Sequence, residues 1–180
     1  FGDAANKVLK LRLSDFSVAG VLSVSSDDLF CAAIDTANGF AYFGGSIPQG
    51  VVKVRLSDFS SAYFTPFSFG EDNLTAAVID PGNGFAYFAT GRAPGVVKVR
   101  LSDFTRVGVL TFPPDESPLY SSVIDTANGY AYFGTGGQRG KIIKIRLSDF
   151  TRVGTLTLNS GESDLFTAVI EPATGFAYFG

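Results

Sequence analysis

The chain has 180 residues, 46 % of them hydrophobic, so it can bury a sizeable core and is not expected to be disordered. Its formal net charge of −3 argues against nucleic-acid binding, and no apolar run is long enough to suggest a membrane span. The absence of histidine removes the commonest general base and metal ligand, and the single cysteine, Cys31, excludes an internal disulfide.

One six-residue pattern occurs four times along the chain. It first reads Leu11-Arg12-Leu13-Ser14-Asp15-Phe16 and returns around Arg55, Arg100 and Arg146, with the arginines 43, 45 and 46 residues apart. Spacing this regular predicts a tandem-repeat architecture.

The predicted elements are all strands. The chain begins with strands at residues 7–13 and 18–24, continues with three units of four strands, and ends with strands at 165–170 and 176–180. In the middle unit, a turn at 80–84 and loops at 90–95 and 102–105 separate predicted strands at residues 74–79, 85–88, 96–101 and 107–112. No segment shows a convincing helical period, so the protein is predicted to be all-β.

Four short strands in each unit of roughly 45 residues are typical of a β-propeller blade. We predict one propeller domain over residues 1–180, with repeat units of about 1–28, 29–73, 74–118, 119–164 and 165–180, the first and last completing one blade. This division gives about four blades. They form a closed ring, half of an eight-bladed dimer or part of a larger propeller, and the last two are slightly favoured. An up-and-down barrel is the alternative fold, but polar and apolar residues would then alternate along its strands so that one face is solvated.

The pattern within each unit resembles that of a known repeat family. An apolar strand, an Asp-Pro-x-x-Gly turn (80–84), an aromatic strand, a Lys-x-Arg strand and an outer strand resemble the repeats of β-propellers of the YVTN/NHL-like type. The resemblance covers the whole chain and implies four-stranded blades. It implies no particular function, because propellers host enzymes, lectins and scaffolds.

Burial should follow the repeat. We expect the aromatic strands to be buried, with equivalent phenylalanines and tyrosines in the core: Phe43, Phe88, Phe133, Phe179, Tyr42, Tyr87, Tyr132 and Tyr178. The strand at 176–179 should pair with the strand at 7–13 or with an equivalent from another chain, because an unpaired edge invites aggregation.

Most acidic residues occupy fixed positions in the repeat. Those after the Lys-x-Arg strand and those that open the Asp-Pro-type turn are interpreted as turn caps. Eight others lie in loops before the first strand of each unit: Asp27, Asp28, Glu71, Asp72, Asp115, Glu116, Glu162 and Asp164. We expect these loops to converge at one end as the ligand-binding surface, since loops on a rigid scaffold often carry binding. Calcium or a basic partner would relieve their repulsion; otherwise they form a solvated surface.

The sequence contains no recognisable catalytic motif, zinc ligand set or phosphate-binding loop. It favours a non-enzymatic structural or interaction scaffold, a module of a larger secreted or cell-surface protein with a protein or glycan partner or with self-association. No cofactor is expected apart from the calcium considered above. Two alternatives stay open: a repeat lectin that binds glycans between blades, and an enzyme of the propeller lyase or lactonase kind, against which the missing histidine counts.

Overall fold

The computed structural model describes residues 6–24, 28–46, 50–68 and 70–180. These residues form sixteen strands and one turn of 3-10 helix (Pro114–Glu116). The strands are β1 (Asn6–Arg12), β2 (Ser17–Val24), β3 (Leu29–Asp35), β4 (Phe40–Gly45), β5 (Val51–Arg55), β6 (Ser61–Phe64), β7 (Leu74–Asp80), β8 (Phe85–Thr90), β9 (Gly95–Arg100), β10 (Arg106–Thr111), β11 (Leu119–Asp125), β12 (Tyr130–Thr135), β13 (Lys141–Arg146), β14 (Thr151–Thr157), β15 (Ala168–Glu171) and β16 (Phe176–Phe179).

Three blades are complete. Each is an antiparallel sheet whose strands pair in sequence order: β3–β6, β7–β10 and β11–β14. The hairpins β1–β2 and β15–β16 form separate two-stranded sheets, here called the half-blades, and no strand pairing joins them in the described part of the chain. Within that part, no helix has the length and apolarity needed to cross a membrane.

Side chains close the tight turns as predicted. Between β7 and β8, Asn83 donates through its side-chain amide to the Asp80 carboxylate at 2.8 Å, and Gly84 takes a φ of +74° that suits glycine. Asp35 and Asp125 make the same bond with the asparagines three residues later. The turn-cap interpretation is confirmed for these aspartates.

The turn after each Lys-x-Arg strand is also closed by its aspartate. Asp103 accepts hydrogen bonds from the Thr105 hydroxyl at 2.7 Å and from the Arg100 guanidinium at 2.9 Å. These two bonds, the hydroxyl first, keep the pKa of Asp103 below its usual value. The same arginine–aspartate pair recurs at Arg12, Arg55 and Arg146.

The core lies between successive blades. Tyr42 and Val51 of the first complete blade pack with Phe88 and Val97 of the second, and Tyr87 of the second packs with the third. The β1–β2 half-blade contributes Val8 and Val24 to a smaller cluster with Val52 and Val54. Each blade therefore depends on its neighbours to bury its two faces.

The burial predictions hold only where both of the sheets that face each other have four strands. Phe88 and Phe133 are fully buried, but Phe43 and Phe179 are only half-buried, so the prediction is wrong for those two. Phe43 packs against the β1–β2 half-blade, whose two strands cover less of it than four would. Tyr132 is likewise half-buried, and Tyr178 on the last half-blade is exposed rather than in the core.

Replacing a fully buried phenylalanine should weaken the stack of blades. Because Phe88 lies in the cluster between two complete blades, Phe88→Ala should lower the free energy of unfolding by about 3–5 kcal/mol. Leu156→Ala, on the exposed outer strand β14, is the control and should change it by less than about 0.5 kcal/mol. Urea unfolding followed by circular dichroism measures both; equal effects would contradict the packing described.

Candidate functional site

Glu71, in the loop before β7, is buried in an ion pair. Its carboxylate accepts two bonds from the Arg106 guanidinium, at 2.5 and 3.0 Å, and one from the Ser68 backbone at 2.8 Å. Burial raises the pKa of Glu71, but the bonds from Arg106 and Ser68 outweigh it and leave that pKa below its usual value. The bonds therefore attach this loop to strand β10.

Glu116 occupies the equivalent position one unit later. It is buried, and the Arg152 guanidinium donates to its Oε1 at 2.5 Å, while Lys141 Nζ lies 3.9 Å away. Lys141 donates to the exposed Asp115 at 2.5 Å, and this bond holds the pKa of Asp115 below its usual value. These acids are therefore neutralised by cations of the following repeat unit.

The other predicted acids have varied surroundings. Asp72 is buried with its Oδ2 3.4 Å from Arg92, and its Oδ1 has no hydrogen-bond partner among the described residues. Glu162 and Asp164 are exposed and accept backbone N–H bonds from Asn159 and Gly137 at 2.8 and 3.1 Å. Asp28 is exposed, and Asp27 lies outside the described residues.

Acidic side chains do not form a metal cluster in the described ranges. No group of three or more aspartate, glutamate or cysteine residues there could hold an ion. Binding of calcium or a basic partner by the acidic loops stays a prediction.

A recess that the sequence did not reveal is built from one repeated position. The residue after the first leucine of each unit lines it: Phe30, Thr75, Tyr120 and Phe166. The recess, here called the axial recess, has a volume of about 430 Å³ and is completed by Asn73, Gly91 and Pro118. Four equivalent side chains meet there because first strands of neighbouring units pack beside one another.

The axial recess is aromatic and uncharged. The Tyr120 and Phe166 rings pack with centroids 4.7 Å apart, and Phe30 and Phe166 are exposed. The Thr75 hydroxyl is occupied, since it donates to the Leu119 carbonyl. This leaves aromatic faces and the exposed Asn73 amide for contact with a ligand.

A sequence signal for the axial recess does exist. The position after the first leucine reads Phe, Thr, Tyr and Phe in the four units, so three of the four first strands carry an aromatic side chain at the same place in the repeat.

The lysines of the Lys-x-Arg strands lie over aromatic rings. Lys53 Nζ is 4.1 Å from the Phe40 ring centroid, and Lys98 Nζ is 4.0 Å from that of Phe85. Burial lowers the pKa of both lysines. The polar face of this strand is thus paired through cation–π contacts.

The only cysteine is unsuited to nucleophilic chemistry. Its thiol packs against the Gly44 backbone, with Sγ 3.8 Å from the carbonyl oxygen. Burial raises the pKa of Cys31 to about 12, so almost no thiolate exists near neutral pH.

Comparison with known proteins supports the fold. No known family and no curated protein matches the sequence. Among solved structures, Kuenenia stuttgartiensis hydrazine synthase is similar with a TM-score of 0.83 and 13 % identity over 95 % of this chain and 48 % of that one. A nidogen/laminin complex is similar with a TM-score of 0.78 and 12 % identity over 97 % of this chain and 66 % of that one.

The chain therefore spans about half to two thirds of the structures it resembles. Together with the four-stranded antiparallel blades, these similarities confirm the predicted all-β propeller fold class. The more specific YVTN/NHL-like type is not confirmed.

The Glu71 ion pair should make stability depend on pH. Because the folded-state pKa of Glu71 is below its ordinary value of 4.5, the stabilisation is present above that value and is lost as the pH falls through the folded-state pKa. Glu71→Gln should therefore cost about 1–3 kcal/mol at pH 7 and less at pH 3.

Thermal unfolding between pH 3 and 7 measures this difference. Glu162→Gln is the matched control, because that exposed carboxylate has no arginine partner among the described contacts. A Glu71→Gln penalty that is as large at pH 3 as at pH 7 would contradict the assignment.

Proposed function

We propose that the protein is a non-enzymatic interaction module whose axial recess receives an apolar or aromatic side chain of a protein partner. The observation that carries this proposal is the recess itself, where three aromatic side chains from different repeat units surround one uncharged cavity. Such a cavity favours burial of an uncharged group, since a charge there would lose water without gaining a counter-charge.

Two further observations support a non-enzymatic role. No acid, base or cysteine lines the axial recess, so it offers no pair for proton transfer or nucleophilic attack. The carboxylates Glu71 and Glu116 are engaged with arginines.

The proposal also covers the kind of protein in which this module occurs. We place it in a larger secreted or cell-surface protein. A similar chain in a nidogen/laminin complex is an example of this fold in a complex between proteins. The Asp-Pro turn and the Lys-x-Arg strand support membership of the YVTN/NHL-like type.

A glycan is the second candidate ligand. Aromatic faces stack on the apolar faces of sugar rings, and the exposed Asn73 amide could hydrogen-bond a hydroxyl. The observation in its favour is that Phe30 and Phe166 present open rings rather than a closed slot.

Selection from a displayed peptide library tests the first candidate. Peptides enriched on the protein should share an aromatic or aliphatic anchor, and Tyr120→Ala and Phe166→Ala should weaken their binding at least tenfold. Phe16→Ala is the control, because Phe16 is an exposed aromatic residue outside the axial recess.

The outcomes separate the candidates. Peptides that bind the wild type and both recess variants equally would contradict the proposal. Failure of the peptide selection together with recess-dependent signals on a glycan array would favour the lectin function instead.

A further inference from the structure

A groove opens between the first two complete blades, at the other end of the first strands from the axial recess. Its volume is about 600 Å³, which is within the range of small-molecule sites. The first of these blades contributes Phe40, Tyr42 and Lys53 to its walls, and the second contributes the turn after β7 and the residues after β9. Charged side chains line this groove, whereas none lines the axial recess.

The half-buried Lys53 lacks a hydrogen bond that its counterparts make. Lys98 donates to the Leu147 carbonyl of the next blade at 3.4 Å, and Lys10 donates to the Leu56 carbonyl at 3.2 Å. The lysine of β13 faces the half-blade β15–β16, which offers no such carbonyl among the described residues. Lys53 faces a complete blade, yet within the described ranges its ammonium donates no hydrogen bond and lies only over two rings of its own blade.

The ring that covers the lysine in the other interfaces is displaced here. A phenylalanine of the next blade lies over the counterpart lysines, 5.6 Å away for Phe150 and 5.8 Å away for Phe59. The equivalent Phe104 is instead buried in the core, where it stacks on Tyr42 with ring centroids 5.7 Å apart. Lys53 therefore faces an open groove rather than a ring of the next blade.

One methyl group accounts for this displacement. The residue paired with the lysine on the fourth strand is Gly20 or Gly108 in the other two interfaces, but it is Ala62 here. A Cβ at Gly20 or Gly108 would lie 3.0 or 3.6 Å from the phenylalanine ring, so that ring rests on bare backbone. Ala62 has its methyl group in that place, and Phe104 packs inward against Phe64 with ring centroids 4.8 Å apart.

The charges around the open ammonium favour an anionic ligand. Asp35 also lines the groove, but both of its carboxylate oxygens accept hydrogen bonds from Asn38. Burial and, next, the charge of Arg55 lower the pKa of Lys53, and the charge of Asp35 raises it by less. A carboxylate oxygen would supply the missing acceptor, and its bond to an ammonium is stronger than that of a neutral carbonyl.

We propose that this groove binds a carboxylate group, whose oxygens accept hydrogen bonds from Lys53 Nζ and from the Ser102 hydroxyl. Ser102 is exposed on the wall formed by the second of the two blades, and its hydroxyl donates no bond in the part of the chain that the structure describes. Pro81 and Leu101 provide apolar contacts for the carbon chain that carries the carboxylate.

The groove differs from its repeat equivalents in sequence as well. Its turn carries Pro81 and Gly82, where the other two complete blades have threonine and alanine. Gly82 has no side chain to fill the groove, and an added Cβ there would have only one atom, 3.8 Å away, within contact distance. The site is independent of the axial recess and of what binds there.

Titrations followed by ¹H–¹⁵N NMR test the site with defined probes. Butyrate supplies the carboxylate as a free acid, and a blocked Ala-Glu-Ala tripeptide supplies it as a side chain. Butyramide and blocked Ala-Gln-Ala are the neutral matches. At millimolar concentrations one or both carboxylates should give saturable shifts of the Asn83 and Ser102 amide signals, and the neutral matches should not.

Substitutions on the walls of the groove test the two donors. Lys53→Met should weaken binding by about tenfold or more, and Ser102→Ala should weaken it by a smaller factor, because a charged donor contributes more than a hydroxyl. Lys98→Met is the matched control and should leave the affinity unchanged, since Lys98 already donates to Leu147. Circular dichroism establishes that the variants are folded, and the comparison of each acid with its amide needs no variant.

The outcomes identify the source of the carboxylate or overturn the site. Saturation by butyrate supports a small free acid as the ligand, and saturation by the glutamate peptide alone supports an acidic side chain of a partner. No saturation by any probe, equal shifts from each acid and its amide, or equal loss of binding in Lys53→Met and Lys98→Met would overturn the proposal.

Discussion

Burial of each blade by its neighbours is the constraint on which this structure depends. A four-stranded sheet with apolar side chains on both faces cannot be stable alone in water, because about 25 cal/mol is lost for every Å² of apolar surface left exposed. The middle blade, β7–β10, has a complete blade on each side, and Phe88 and Tyr87 on its opposite faces are both fully buried. Exposure increases toward the half-blades, where Leu9 and Tyr178 are open. The repeat therefore sets stability through the interfaces between units rather than within them.

A constant scaffold can carry a variable surface. The Arg–Asp turn pairs and the lysine–aromatic contacts recur with nearly the same geometry in each complete blade. Each complete blade therefore has the same contacts along its third strand and in the turn that follows it. The first strands then bring one position from each unit together at the axial recess. Phe30 and Phe166 are exposed at that position, so their side chains can change at little cost to the fold. In the proposed function, the residues that hold the fold and the residues that bind a partner occupy different positions of the same repeat.

The sequence was sufficient for the architecture because strand period, turn residues and repeat length all indicate the same unit. It predicted all sixteen strands and the turn roles of Asp80 and Asp103. It did not predict that Phe43 and Phe179 would be half-buried, because the first and last strand pairs were expected to complete one blade, whereas they form separate two-stranded sheets in the structure. Nor could it show that Glu71 is paired with Arg106, 35 residues away, since that contact depends on how a loop crosses between blades. The axial recess was missed because its lining residues are dispersed along the chain.

Hydrogen–deuterium exchange of single amides most directly tests the claim that neighbouring blades determine stability. The slowest exchange should be in β8 and β9, which have a strand on each side within a blade covered on both faces. The equivalent strands of the half-blades, β16 and β1, should exchange faster by several orders of magnitude, because local opening there exposes little additional apolar surface. Equal protection of β8 and β16 would contradict the account.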